Sequence, residues 1–183
     1  NAMIKTATKT GGQVDIIIAN AGITLFGDFL SYTREAFNRV MEVNLAGSFF
    51  LAQAAANQMR SQTTGGSILF MSSVTAHQAH KDLAAYGMSK AALEMLARNL
   101  VVELSKYNIN VNTIAPGATL TERTRDEPGY KEIWSGLTPM GRPASVNDIT
   151  NAALFLVQEE SRHITGQNIV IDGGWTSISP QPY

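Results

Sequence analysis

Four short apolar runs rich in β-branched residues recur along the chain, separated by long stretches with helical spacing. The runs cover residues 14–18, 68–71, 109–115 and 169–171. The first three contain few polar residues apart from Asn110 and Asn112, and they show no clean alternation. Strands of that kind are covered on both faces of a parallel sheet, and the long intervals suit right-handed helical crossovers. The pattern therefore predicts an α/β fold with a doubly wound parallel sheet.

Three of the intervening stretches repeat apolar residues at the spacing of amphipathic helices. The first helix is expected to begin after Thr33, a residue type that caps helix N-termini. Its apolar face would consist of Phe37, Val40, Met41, Leu45 and Phe49. The second helix covers residues 83–107, and the third covers residues 145–158 and opens with a capping box of Ser145 and Asp148. The buried face of the third would consist of Ile149, Ala153, Leu156 and Val157.

Composition narrows the class of protein. A chain of 183 residues with 44% hydrophobic and 16% charged residues can bury a core, so residues 1–183 are predicted to form a single domain. The formal net charge of -1 and the lack of long basic runs argue against a nucleic-acid partner. No apolar run approaches the roughly 20 residues of a membrane-spanning helix, so no membrane partner is expected. The lack of cysteine excludes disulfides and thiolate chemistry, which suits a cytoplasmic protein, and no three-ligand spacing predicts a metal site.

Polar or glycine-containing segments directly follow three of the predicted strands. They are Asn20-Ala21-Gly22, Ser72-Ser73, and Pro116-Gly117 with Thr119 and Thr121 after it. Ligands of open parallel sheets bind in the crevice beyond the carboxyl ends of the strands. The three segments are therefore predicted to meet at one site.

Tyr86 and Lys90 are four residues apart within the second predicted helix, so they share one helical face. A phenol is a poor base at neutral pH, but an ammonium held beside it stabilises the phenolate and makes acid–base catalysis feasible. Taken alone, the spacing favours a simpler interpretation, a half-buried tyrosine beside a solvated lysine. The motifs that accompany the pair change that balance.

In order and spacing, the motifs over residues 14–175 resemble those of the short-chain dehydrogenase/reductase family. Asn20-Ala21-Gly22 is similar to the family's Asn-Asn-Ala-Gly turn, with Ala19 in place of its first asparagine. Asn44 matches an asparagine that interrupts a long helix of the family and joins a proton relay. A buried structural amide is the alternative for that residue.

Three further matches extend the resemblance towards the C-terminus. Ser73, thirteen positions before Tyr86, matches the family serine that binds the reacting oxygen, and Ser72 is its alternative. Pro116-Gly117 and Thr121 match the segment that lies along the nicotinamide. The segment Asp172-Gly173-Gly174 resembles a structural motif at the end of the last strand.

The resemblance implies a Rossmann-like fold, NAD or NADP as cofactor, and a small-molecule substrate with a carbonyl or secondary alcohol. The implied catalytic residues are Asn44, Ser73, Tyr86 and Lys90. The implied cofactor-binding residues are Asn20, Ala21, Gly22, Tyr86, Lys90, Pro116, Gly117, Thr119 and Thr121. The family's first strand and glycine-rich turn have no counterpart here, so the fold is expected to be N-terminally incomplete, and the choice between NAD and NADP stays open.

The resemblance also bears on assembly. Family helices that match residues 44–59 and 83–107 pair with their copies across a two-fold axis, so we expect a homo-oligomer, namely a tetramer.

A non-catalytic scaffold or regulatory relative of the same fold is the alternative function. The candidate substrates are sugars, polyols, acyl thioesters and steroid-like alcohols. Among them, small polyols or sugars are slightly favoured.

Two further expectations concern loops. Residues 119–143 contain scattered prolines and glycines and are predicted to form a mobile cover that orders on ligand binding. His77 and His80 are expected to lie in a solvated loop, because no carboxylate partner for either is apparent.

Overall fold

The computed structural model describes residues 2–179 of the chain, so the ends of the predicted domain, residues 1 and 180–183, lie outside the described residues. The α-helices are α1 Ala2–Gly11, α2 Arg34–Met41, α3 Gly47–Met59, α4 Ala84–Leu104, α5 Glu122–Arg125, α6 Tyr130–Leu137 and α7 Val146–Val157. The strands are β1 Ile16–Ala19, β2 Gly66–Met71, β3 Ile109–Pro116, β4 Thr119–Leu120, β5 Ala144–Ser145 and β6 Asn168–Ile171.

The main sheet has four strands in the order β1-β2-β3-β6, and all of its pairs are parallel. The four predicted strands are thus confirmed, with bounds that differ by at most two residues. Strands β4 and β5 form a separate parallel pair that was not predicted. Each has only two residues, which is too short for a periodic pattern to reveal.

Helices cover the sheet on both faces. On one face α3 and α4 pack over Ile68, Phe70 and Val111, and on the other α7 packs over Leu69 and Ile114. The strand order advances in one direction from β1 to β6. The crossover through α7 therefore has the opposite hand to the two through α3 and α4, against the strong preference for one hand.

The two asparagines that interrupt β3 hold the loop before β6. Asn110 and Asn112 each donate from the side-chain amide to the carbonyl of Ile164, at 3.1 and 2.7 Å. The Oδ1 atom of Asn112 accepts from the N–H of Gln167 at 3.0 Å. These polar residues are buried and have partners outside the sheet, so they interrupt the apolar pattern without interrupting the strand.

The first predicted helix is confirmed at its start and in the burial of Val40 and Leu45, but its predicted apolar face is wrong at Phe37 and Phe49. The Thr33 side chain caps it by accepting from the N–H of Ala36 at 3.1 Å. A π-helical segment, Glu42–Ala46, then separates α2 from α3 and shifts the phase of the helix. The inward face consists of Val40, Asn44, Ser48 and Ala52. Phe37 and Phe49, which the pattern assigned to the apolar face, are exposed.

The second and third predicted helices are confirmed. The second, predicted over residues 83–107, is α4 with a terminal 3-10 turn, Ser105–Tyr107. The third is α7, capped by Ser145 in the predicted capping box with Asp148. Among the helices of residues 2–179, none combines the length and the hydropathy that crossing a bilayer requires.

Candidate active site

A cleft of about 650 Å³ opens beyond the carboxyl ends of β1, β2 and β3. Ten site candidates singled out from the sequence line it, namely Asn20, Gly22, Ser72, Ser73, Tyr86, Lys90, Pro116, Gly117, Thr119 and Thr121. Ala21 is exposed and does not belong to the lining, and Asn44 is buried behind Gly22. The three segments that follow the strands therefore meet at one site.

Tyr86 and Lys90 lie in the first two turns of α4. Lys90 Nζ is 5.5 Å from the centre of the Tyr86 ring. It donates a hydrogen bond of 2.7 Å to the main-chain carbonyl of Met71, at the end of β2. The lysine is 4% exposed, and burial lowers the pKa of Lys90 to about 8. The simpler interpretation of the spacing, which requires a solvated lysine, is therefore wrong.

Asn44 lies in the middle of the π-helical segment and is completely buried. Its Oδ1 accepts from the N–H of Ile23 at 2.8 Å, while its Nδ2 donates to the Ile23 carbonyl at 3.0 Å and to Ser89 Oγ at 3.1 Å. A Cβ added to Gly22 would lie 3.4 Å from both Asn44 Oδ1 and Lys90 Nζ. Asn44 therefore fixes the loop after β1 against the helix that carries the Tyr–Lys pair.

The two consecutive serines after β2 have different partners. Ser72 Oγ donates to Glu94 Oε1 at 2.6 Å and lies 3.3 Å from the carbonyl of Lys90. Ser73 Oγ accepts from the N–H of Thr75 at 3.3 Å, which leaves its own proton free for a ligand in the cleft. Ser73 is therefore better suited than Ser72 to bind a reacting oxygen.

The third segment, residues 116–121, is held in place by β6, by the turn that follows β6, and by α6. The N–H of Gly117 donates to the Ile171 carbonyl at 2.9 Å. A Cβ on Gly117 would approach the Cβ of Asp172 to 2.7 Å, so only glycine fits there. The hydroxyl of Tyr130 accepts from the N–H of Thr119 at 3.2 Å. These contacts keep the main chain of the segment along the cleft wall.

Residues 119–143 are more regular than the sequence suggests, because they contain β4, α5 and α6. Trp134 of α6 packs edge-on against Trp175, with ring centres 5.0 Å apart. The N–H of Met140 donates to the Gly173 carbonyl at 3.2 Å. The segment therefore lies against the turn that follows β6, and its mobility stays a prediction.

His77 is exposed, as predicted, but it has a carboxylate partner that the sequence did not show, and His80 departs from the predicted solvated loop. His77 Nε2 is 2.7 Å from Glu94 Oε2, a carboxylate on α4 that is 6% exposed. His80 packs against Trp175 with ring centres 5.0 Å apart, and burial lowers the pKa of His80. The sequence did not reveal Glu94 as a partner, because it is seventeen residues from His77 on a different element.

The lining of the cleft fits the nicotinamide half of a dinucleotide. Such a group needs an apolar wall for its ring and hydrogen-bonding groups for its carboxamide and ribose. Ile18, Ile114 and Ile149 supply the wall, and Lys90 is among the polar groups opposite. Arg123 also lines the cleft, although nothing in the sequence pattern had singled it out.

Comparison with known proteins identifies the family of the chain. Residues 1–176 match a family model described as enoyl-(acyl carrier protein) reductase. The chain is 34% identical over 174 residues to L-rhamnose 1-dehydrogenase (NAD(P)(+)) of Sphingomonas sp. (strain SKA58), covering 93% of this chain and 68% of that protein. It is 35% identical over 178 residues to 2-dehydro-3-deoxy-D-gluconate 5-dehydrogenase of Dickeya dadantii (strain 3937), covering 95% and 70%.

A solved structure extends the similarity to the fold. The crystal structure of a gluconate 5-dehydrogenase from Burkholderia cenocepacia J2315 in complex with NADP and tartrate has a TM-score of 0.90 and 32% identity, covering 97% of this chain and 71% of that one. Family match, curated relatives and fold all agree with the resemblance in the motifs. The chain belongs to the short-chain dehydrogenase/reductase family and is an NAD(P)-dependent oxidoreductase.

Proposed function

We propose that Tyr86, Lys90, Ser73 and Asn44 form the catalytic set of this oxidoreductase, acting on a carbonyl or a secondary alcohol. The observation that carries the proposal is the meeting of Tyr86, Lys90 and Ser73 on the wall of one cleft at the carboxyl ends of three strands. The bound nicotinamide supplies or accepts the hydride. The chain's own residues hold the substrate oxygen and move its proton.

Tyr86 is the acid and base at the substrate oxygen. In reduction its hydroxyl donates a proton to that oxygen, and in oxidation the phenolate removes the proton from the alcohol. The ammonium of Lys90, 5.5 Å from the ring centre, stabilises the phenolate. Ser73 donates a hydrogen bond to the same oxygen and so orients the reacting carbon.

Asn44 acts from behind the cleft by holding the loop of Ile23 against α4. We propose that Asn44 also supports the path by which a proton passes between Lys90 and solvent. The cofactor-binding residues in this proposal are Asn20, Ala21, Gly22, Tyr86, Lys90, Pro116, Gly117, Thr119 and Thr121. Lys90 would also donate to the nicotinamide ribose.

The test is oxidation or reduction of a substrate panel by the full-length protein with NAD and NADP, followed at the absorbance of the reduced nicotinamide. Sugars and sugar acids head the panel, because the names of the relatives include L-rhamnose and 2-dehydro-3-deoxy-D-gluconate dehydrogenases. Secondary alcohols without further hydroxyls are the comparison. If the protein binds neither nicotinamide cofactor, the alternative of a non-catalytic scaffold replaces the proposal.

We also propose a homo-oligomer, with a tetramer as the expected state. An apolar groove of about 990 Å³ runs between the α2–α3 segment and α4, and Phe49, Phe50, Met95 and Leu96 are among its lining. Phe50 is 62% exposed, and burying such a patch between copies is favourable. Sedimentation should give a tetramer, which Phe50→Glu should dissociate while Ile133→Glu, at an exposed site on α6, should not. A monomer at micromolar concentration contradicts this assembly.

Two other expectations stay as proposals. The cysteine-free composition suits a cytoplasmic location, which fractionation of the source cells would test. The prediction that residues 1–183 form one domain would be tested by a single cooperative unfolding transition.

A further inference from the structure

The carboxylate of Glu94 is buried beside Ser72, and the proposed chemistry does not use it. Glu94 lies on α4, one turn after Lys90, and is 6% exposed. A buried carboxylate is costly unless hydrogen bonds stabilise it. Ser72 Oγ donates to its Oε1 at 2.6 Å, and His77 Nε2 lies 2.7 Å from its Oε2. Glu94 therefore binds both ends of the segment that contains Ser73.

The backbone of this segment links the two serines. Ser73 is extended, with φ -165° and ψ 154°, so the side chains of Ser72 and Ser73 project to opposite sides. Both serines border the cleft, but the Ser72 hydroxyl turns towards α4 and donates to Glu94, whereas the Ser73 hydroxyl only accepts, from the N–H of Thr75. The position of the Ser72 hydroxyl on Glu94 therefore determines where the Ser73 hydroxyl lies.

One face of α4 carries the acid–base pair and the buried carboxylate. Tyr86, Lys90 and Glu94 follow each other at four-residue intervals, so they lie along one side of the helix. Lys90 Nζ holds the carbonyl of Met71, and Glu94 holds the next residue, Ser72. The helix that presents the acid–base pair thus also sets the register of the end of β2.

The far end of the segment is held by His77. Its Nε2 faces the Glu94 carboxylate at 2.7 Å and also lies 3.2 Å from Asn168 Nδ2, at the start of β6. One ring nitrogen cannot donate to the carboxylate and accept from the amide at once, so the hydrogen bond runs to Glu94 and Asn168 is only a neighbour. Glu94 therefore restricts both ends of the segment, at Ser72 and at His77.

We propose that Glu94 is a positioning residue, which holds Ser73 in register with Tyr86 through the hydroxyl of Ser72. The proposal rests on the proposed roles of Ser73 and Tyr86. Misplacing a group that orients the reacting atoms by about 1 Å lowers rates by roughly 100-fold, so the register of the serine matters for turnover. Cofactor binding does not depend on this contact.

The test compares Ser72→Ala, Glu94→Leu, Glu94→Gln and the double variant Ser72→Ala/Glu94→Leu in the full-length enzyme. Ser67→Ala is the matched control, because Ser67 is a buried serine of β2 whose hydroxyl bonds to the carbonyl of Val157 at 3.4 Å. We measure kcat, the Kd for the nicotinamide cofactor, and hydrogen exchange of residues 72–77 in the cofactor-free protein.

Ser72→Ala and Glu94→Leu should each lower kcat by roughly 10-fold to 100-fold with the cofactor Kd unchanged. The double variant should lose no more than the larger single loss, because both changes break one link. Glu94→Gln, which can still accept from Ser72, should stay within about 3-fold of wild type. Exchange of residues 72–77 should rise in Ser72→Ala and Glu94→Leu but not in Ser67→Ala.

Wild-type kcat in Ser72→Ala overturns the proposal, as do losses that multiply in the double variant or an equal loss in Ser67→Ala. If Glu94→Leu does not fold, the rates of Ser72→Ala and Glu94→Gln decide in the same way. Ser73→Ala separates the two levels of inference. An inactive Ser73→Ala beside a fully active Ser72→Ala removes only the positioning role, whereas an active Ser73→Ala removes the proposed function itself.

Discussion

Replacing Lys90 with methionine should remove one contribution to the pH dependence of stability. The size of that contribution follows from the burial of Lys90. Burial lowers the pKa of Lys90 from its ordinary 10.5 to about 8, so the folded state disfavours the ammonium. Each unit of that difference corresponds to about 1.4 kcal/mol, which gives a penalty of about 3 kcal/mol when the group is charged in both states. Methionine keeps most of the stem but has no proton to lose.

The direction in which stability changes with pH follows from the number of protons that the folded and the unfolded state each bind. Below the folded pKa of about 8, Lys90 is charged whether the chain is folded or unfolded, and the full penalty applies. Between about 8 and 10.5 the unfolded chain binds more protons than the folded one, so wild-type stability rises with pH. The lost hydrogen bond to the Met71 carbonyl adds a constant offset but no slope.

The assay is urea unfolding of wild type and Lys90→Met at about pH 7, 8.5 and 9.5. The free energy of unfolding of wild type minus that of the variant should rise by about 2 kcal/mol over this range. Lys81→Met, at an exposed lysine, is the control for the loss of one lysine charge at the surface. A difference for Lys90→Met that stays flat within about 0.5 kcal/mol over the same range refutes the reasoning.

Two further predictions concern the surroundings of the cleft. Asn44→Ala should cost about 2–4 kcal/mol of unfolding free energy, because it leaves the N–H and carbonyl of Ile23 without their partner, whereas Asn57→Ala at an exposed helical amide should cost less than about 0.5 kcal/mol. Equal losses in the two variants would contradict this account of Asn44. Amides of residues 119–143 should exchange with solvent more slowly once cofactor and substrate are bound, and identical exchange with and without ligands would remove the mobile cover.

The sequence was sufficient for the sheet and for the location of the site. Short apolar runs with few polar interruptions predicted four strands and their parallel pairing, and the segments after them predicted where the cleft lies. The capping signals of Thr33 and Ser145 located two helix starts, because caps depend on residues adjacent in the chain. All of these signals are local or periodic.

What the sequence did not predict depends on phase and on tertiary contact. A regular helical period put Phe37 and Phe49 on the inner face, but both are exposed, and the π-helical segment after Phe37 shifts the phase of the residues that follow it, Phe49 among them. The link from Glu94 to Ser72 and His77 joins residues far apart in sequence, so no spacing rule reveals it. Residues that depart from the local pattern here are the buried polar ones around the cleft.

The hydride-transfer rate of Tyr86→Phe tests whether Tyr86 exchanges the proton on the substrate oxygen. The substitution keeps the ring beside Lys90 and removes only the hydroxyl, so folding should survive and cofactor affinity should change little. In a single-turnover experiment with saturating cofactor and substrate, the rate should fall by at least about 100-fold. A Tyr86→Phe enzyme that retains most of the wild-type rate would contradict the account, because the acid and base would then have to be another group.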